Sequence, residues 1–205
     1  MCIRDSVSAV VATVSYLHAH HPAPCRVLVL GSDSLASQIG KAGYDLATWN
    51  DDDVPEVVVV GVDFDLTYAK LQRTTRAILM DSATYLAVNT DGQYPTPNGP
   101  VPGAGAMTSA VSAVTGQEPT IVGKPSPHMF QVIVERARVT AADLVVVGDM
   151  LSADIGGARA VGATAVLVLT GTTSAEEAAA AIPDERPHYV IETLADLPLP
   201  ELIGI

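Results

Sequence analysis

Short apolar runs, each followed by a stretch of helical periodicity, recur along this chain, and that alternation limits its fold more than any other feature. The clearest run is Val57-Val58-Val59-Val60, β-branched at every position. Such side chains favour extended backbone, and a strand with no polar face has to be buried on both sides. Similar runs are read at residues 27–30, 84–88, 120–122, 144–147, 165–169 and 189–191. Helical spacing is predicted over residues 7–20, with Ser6 placed to cap it, and after Gly31-Ser32-Asp33 in a stretch that stops at Gly43. Further helices are predicted over 67–79, 104–115, 127–138, 151–161 and 174–181, with a last one from Leu194. Fully apolar strands alternating with helices define an α/β fold built on parallel sheet. The alternation breaks at residues 89–105, where Asp91-Gly92, Pro95, Pro97, Gly99, Pro102, Gly103 and Gly105 make an irregular connection. The predicted division is therefore an α/β unit over 1–92 and a second over 93–205.

Charge narrows the partners. Eleven Lys and Arg stand against 23 Asp and Glu, a formal net charge of −12, which repels a nucleic-acid backbone. An acidic chain that handled phosphate esters would need local positive charge, and a divalent cation supplies it economically. Only Cys2 and Cys25 are present, too few for a disulfide framework, so a reducing cytoplasm fits. Nothing approaches the ~18 consecutive apolar residues of a membrane helix. The start, Met-Cys-Ile-Arg-Asp-Ser, has no signal-peptide architecture. The expectation is a cytoplasmic protein with neither nucleic acid nor membrane as a partner.

Residues that carry chemistry lie in the second half. Gly148-Asp149-Met150-Leu151-Ser152-Ala153-Asp154 follows an apolar run directly. An aspartate at the carboxyl end of a parallel strand faces the crevice where such sheets bind ligands, so Asp149 either holds a hard cation or caps the next helix. Asp154, about one helical turn on, can support it or sit at a helix start. Ile121-Val122-Gly123-Lys124-Pro125-Ser126-Pro127 is again strand then helix. Lys124 can offset clustered carboxylates and a phosphoryl group, or be an ordinary loop lysine. It is no Walker loop, because Gly116 stands too far upstream and Pro125 replaces the Ser or Thr.

Taken together, Gly-Lys-Pro-Ser-Pro followed by Gly-Asp-x-x-x-x-Asp-Ile resembles the haloacid dehalogenase superfamily, and within it the NagD-like phosphatases, also called the 4-nitrophenylphosphatase or phosphoglycolate phosphatase group. The resemblance extends over Val59-Val60-Gly61-Val62-Asp63 with Tyr68 and Leu71, Asn89-Thr90-Asp91, Pro102-Gly103-Ala104-Gly105, Lys124, Asp149, Asp154 and Leu169-Thr170-Gly171. It implies a Rossmann-like catalytic core with an α/β cap. It also implies a Mg²⁺-dependent phosphomonoesterase acting on a small phosphorylated metabolite through an aspartyl-phosphate intermediate. In that scheme Lys124 steadies the phosphoryl oxygens, Asp149 binds Mg²⁺ and Asp154 supports it, while Asn89 and Asp91 contact substrate or shape the hinge. Caps of this group often mediate dimers, so a homodimer through the cap is an expectation too.

The group's Asp-x-Asp-Gly-Thr nucleophile motif has no counterpart near the start, and residues 1–6 match nothing in the pattern, a foreign leader being one reading of them. The expectation is an N-terminally truncated chain whose core lacks its first strand and which by itself turns over little or nothing. An inactive fragment or a pseudoenzyme with a binding role is the alternative. Asp63-Phe64-Asp65-Leu66-Thr67 fits the looser Asp-x-Asp-x-Thr form, so a capless phosphatase using Asp63 as nucleophile and Asp65 as its partner is a third reading. Against that third reading, NagD-like caps carry their own Gly-x-Asp segment, which Gly61, Asp63, Tyr68 and Lys70-Leu71 match. Members of the group usually have Arg after the aspartate at 149 and Asp-Thr before that at 154. Met150, Ser152 and Ala153 depart from this pattern, and lost supporting contacts can cost metal affinity.

Overall fold

The computed structural model describes residues 6–94 and 96–198. Two compact units result, Met1–Gly123 and Lys124–Ile205. The first opens with α1 (Ala9–His20), β1 (Arg26–Leu30), α2 (Asp33–Lys41) and β2 (Asp45–Leu46). It continues with β3 (Val57–Val60), α3 (Tyr68–Leu79), β4 (Thr84–Ala87), a small antiparallel pair β5 (Gln93–Tyr94) and β6 (Val101–Pro102), α4 (Ala104–Thr115) and β7 (Thr120–Ile121). Its main sheet is parallel throughout, in the order β2-β1-β3-β4-β7.

Both faces of that sheet are buried, as the unbroken apolar runs require. Leu28, Leu30, Val58 and Val60 pack with Ala77 and Ile78 of α3 and Met107 and Val111 of α4. The alternate residues Val27, Val29, Val57 and Val59 are buried on the other face, and Ala12, Leu17, Leu35 and Ile39 of α1 and α2 are buried as well. Caps set the helix starts. Ser8 rather than Ser6 caps α1, its hydroxyl accepting from the Val11 N–H, while Ser32 and Thr67 cap α2 and α3.

The acidic run Asp51-Asp52-Asp53 is more than a solvated turn. Asp53 pairs with Arg26 and accepts from Thr48, and Asp51 pairs with Arg76. Arg73, only 3% exposed, donates to the Asn50 and Asp53 carbonyls and lies 2.9 Å from the Asp81 carboxylate. A buried guanidinium has to be paired in this way to be tolerated.

The second unit contains α5 (Pro127–Ala137), β8 (Val145–Gly148), a π-helical turn Leu151–Ile155 running into α6 (Gly156–Val161), β9 (Thr164–Val168), α7 (Ala175–Ala179) and β10 (Tyr189–Ile191). Its sheet is also parallel, in the order β10-β9-β8. Ala165 and Leu167 face Ile155, Ala158 and Ala178, and Val166, Val168 and Ile191 face the other way with Val145 and Val147. Gly157 lets α6 approach the Phe130 ring of α5, since a Cβ there would overlap it.

The unit boundary differs from the one expected at 92/93. The Gly- and Pro-rich connection does not end the first unit, because α4 packs on α3 and β7 pairs in register with Leu86 and Ala87. Backbone hydrogen bonding therefore carries the first unit's sheet on to residue 121. The helix predicted over 151–161 begins as a π-helical turn, and the one predicted from Leu194 is a single 3₁₀ turn, Leu194–Asp196, with a Thr193 capping box. Among the described residues no helix is long and apolar enough to cross a membrane.

Candidate active site

In an open parallel sheet, ligands gather outside the carboxyl ends of the strands. In the second unit, two loops emerge there, one after β8 carrying Asp149 and one after β9 carrying Thr172 and Thr173. Asp149 is gripped between them. Its Oδ2 accepts from the Thr172 N–H and hydroxyl, each at 2.9 Å, and its carbonyl accepts from the Thr173 hydroxyl at 2.6 Å. The Thr172 N–H is the main reason the Asp149 carboxyl sits below the usual carboxylate range. Partial burial opposes the shift, and the Thr172 hydroxyl and the charge of Lys124 add to it. The group is thus an anionic oxygen at neutral pH.

Asp154 closes the arrangement. It is 7% exposed, and its Oδ1 accepts from Lys124 Nζ at 2.7 Å. Its Oδ2 accepts from the Asp149 and Met150 N–H groups, both at 3.2 Å. One carboxylate therefore fixes both the ammonium and the backbone of the Asp149 loop. The π-helical turn makes this geometry available: the N–H groups of Asp154 and Ile155 both donate to the Met150 carbonyl, which widens the turn and brings Asp154 back over the strand end. A regular α-helical turn, as predicted, would aim that side chain elsewhere.

Glycines permit the close approach. A Cβ on Gly148 would overlap the Asp154 side chain, and one on Gly171 would overlap the Asp149 carboxylate. Gly171→Ala is expected to destabilise the second unit by about 1–3 kcal/mol through overpacking and to separate Asp149 from Thr172. Urea denaturation checks the first effect and the Thr172 amide resonance the second; an unchanged resonance would mean the loop absorbs the methyl elsewhere.

Three of the sequence-predicted residues thus converge: Lys124, Asp149 and Asp154. Lys124 does not leave a strand of the sheet that carries Asp149, although the predicted second unit over 93–205 included the strand at 120–122: β7 belongs to the first unit's sheet and Lys124 opens the second. Thr172 and Thr173 were missed. Their signal was a Gly-Thr-Thr sequence straight after an apolar strand, where hydroxyls and free N–H groups collect.

The other candidates lie in the first unit. Asn89 and Asp91 follow β4, where the Asn89 carboxamide accepts from the Asp91 N–H and the Asp91 carbonyl from the Gly105 N–H. They shape the turn that leads into β5. Asp63 follows β3, is 5% exposed, and accepts from Lys70 Nζ at 2.9 and 3.2 Å and from the Asp65 N–H at 2.9 Å. Its oxygens are engaged by Lys70 of α3 and by the Asp65 N–H in its own loop, and Asp65 is exposed. Among the described residues no three His, Cys, Asp or Glu side chains gather closely enough to hold a metal by themselves.

The HAD-hydrolase-like family model matches residues 121–197. Rat chronophin is 40% identical over 182 residues, which are 85% of this chain and 59% of that protein. The acid sugar phosphatase of Staphylococcus haemolyticus is 32% identical over 191 residues, 93% of this chain and 70% of that protein. The crystal structure of a Mycobacterium tuberculosis glycerol phosphate phosphatase in complex with magnesium superposes with a TM-score of 0.85 at 33% identity, covering 92% of this chain and 56% of that one. The chain belongs to the haloacid dehalogenase superfamily of hydrolases, in its NagD-like group. It spans little more than half the length of several of the relatives it matches.

Proposed function

We propose that this chain is part of a Mg²⁺-dependent phosphomonoesterase that acts on a small phosphorylated metabolite through an aspartyl-phosphate intermediate. The observation that carries the reading is the convergence of Lys124, Asp149 and Asp154 at one strand end. Its support from relatives is the sequence similarity to chronophin and acid sugar phosphatase and the fold shared with a glycerol phosphate phosphatase.

The donor set suits a hard divalent ion. Asp149 is ionised, its Oδ2 is oriented by Thr172, and its Oδ1 accepts no hydrogen bond among the described residues, which leaves an anionic oxygen free for a cation that prefers oxygen ligands. Asp149 would hold Mg²⁺, whose charge would neutralise the phosphoryl group being transferred. Lys124 is oriented by Asp154 so that its ammonium offsets the phosphoryl oxygens and the attacking carboxylate. Asp154, already ion-paired and bonded to two backbone N–H groups, acts as the positioning residue. Residues 124–205 supply the charge-handling half of the reaction, and the attacking carboxylate is not one of the converging three. A cap over residues of the first unit, a homodimer through it and a cytoplasmic location complete the proposal.

Hydrolysis of 4-nitrophenyl phosphate with and without Mg²⁺ is the test. A protein joining this chain to an Asp-x-Asp-Gly-Thr strand is expected to show Mg²⁺-dependent turnover, and Asp149→Asn to weaken metal affinity by about 10–100-fold or more, read as a shift in the Mg²⁺ activation curve. Residues 1–205 alone are expected to turn over little or nothing. Mg²⁺-dependent turnover by 1–205 that vanishes with Asp63→Asn would overturn the scheme.

A further inference from the structure

The opposite edge of the second unit's sheet holds a group of nitrogen donors that the phosphatase site does not use. His188, just before β10, receives two donors at once. Its Nδ1 lies 2.9 Å from the Ala165 backbone N–H, and its Nε2 lies 3.1 Å from Nη1 of Arg159 on α6. A neutral imidazole carries one N–H and has one acceptor nitrogen, so it cannot satisfy both. Ala165 is fully buried within the sheet, where an unpaired N–H is costly, so Nδ1 belongs to that bond and the ring proton sits on Nε2. Two N–H donors, His188 Nε2 and Arg159 Nη1, then face each other at an exposed position with no protein acceptor between them among the described residues.

Arg159 sharpens the point. Its Nε is buried, and among the described residues it has no hydrogen-bond partner and the side chain forms no ion pair with a carboxylate. In a chain of net charge −12 such an uncompensated guanidinium is conspicuous. A cavity of about 290 Å³ opens beside it, lined by Arg159, Gly162, Ala163, Thr164 and His188. That is just below the roughly 300–1,000 Å³ of small-molecule sites and suits a compact ion. Thr164 begins β9, whereas Asp149 follows the end of the parallel neighbour β8, so the cavity and the carboxylates are a strand length apart, about 15 Å.

We infer that Arg159 and His188 form a second oxyanion site, one that takes a phosphate group at the amino-terminal edge of this sheet. Phosphate oxygens would give both donors one shared acceptor in place of solvent, and the guanidinium would gain a counter-ion through charge-assisted hydrogen bonds. The site does not depend on turnover at Asp149.

Amide and imidazole NMR shifts of the full chain, titrated in Mg²⁺-free buffer with inorganic phosphate and separately with glycerol phosphate, test this. Saturable shifts at residues 162–165 and at His188 are expected. A response to both ligands identifies the phosphate group as what is recognised, and a response to inorganic phosphate alone identifies the free ion. His188→Asp places an internal carboxylate against Arg159 and keeps an acceptor for Ala165. It is expected to weaken binding about tenfold or more and to raise the unfolding temperature in phosphate-free buffer. Arg159→Gln, shorter and uncharged, is expected to abolish the shifts while the fold persists. Shifts confined to Lys124 and residues 149–154, no shifts at all, or unaltered binding in His188→Asp would overturn the inference.

Discussion

Lys124→Ala is expected to lower Mg²⁺-dependent phosphatase turnover by on the order of 10²–10³-fold in an enzyme that carries this chain with its attacking carboxylate, the range seen when one preorganised electrostatic donor is removed. Lys124 Nζ stands 2.7 Å from Asp154 Oδ1, and its charge contributes to the lowered Asp149 carboxyl pKa. Without it two carboxylates and a phosphoryl group would share one pocket with only the metal to balance them. The loss should fall on kcat more than on KM, because the ammonium matters most as charge moves onto the phosphoryl oxygens. Lys124→Arg should recover only part of the rate, since a planar guanidinium does not reproduce a compact point charge. Turnover within about tenfold of the parent enzyme, in a variant of unchanged stability, would make Lys124 an ordinary loop lysine.

Asp154→Ala is expected to destabilise the second unit by about 3 kcal/mol. The ion pair accounts for the smaller share, because the Lys124 side chain is 41% exposed and solvent screens it. The larger share comes from the Asp149 and Met150 N–H groups, which lose their acceptor in a partly buried loop. Asp154→Asn retains an acceptor and should cost roughly half as much. Hydrogen exchange at residues 148–155 reads the unit directly. A loss below about 1 kcal/mol would mean that the π-helical turn holds its shape without the carboxylate.

Much of the fold is legible because burial leaves a periodic trace. The valines of β3 are buried on both faces, and a run with no polar position has no other stable home. Helix starts at Ser32 and Thr67 are readable because a hydroxyl before an amphipathic stretch satisfies an otherwise orphaned N–H. The unit boundary is less legible. Gly and Pro between residues 89 and 105 mark a local irregularity, yet only the pairing of Thr120 and Ile121 with Leu86 and Ala87 shows that the sheet continues past it.

The candidate site divides in the same way. The sequence by itself determined that an aspartate would stand at a strand end after 145–148 and that a lysine would precede α5, because both follow from short-range pattern. What only the tertiary structure decided is their meeting: the widened turn at 151–155, the Asp154 oxygens shared between Lys124 and two backbone N–H groups, and the hydroxyls of Thr172 and Thr173 closing on Asp149. Asp149 and Thr172, 23 positions apart, meet because the parallel neighbours β8 and β9 stack their carboxyl ends together, whereas Lys124 reaches Asp154, 30 positions on, without leaving a strand of that sheet. Local propensity carries no record of that stacking, because the contacts form between segments that have no periodic relation to each other.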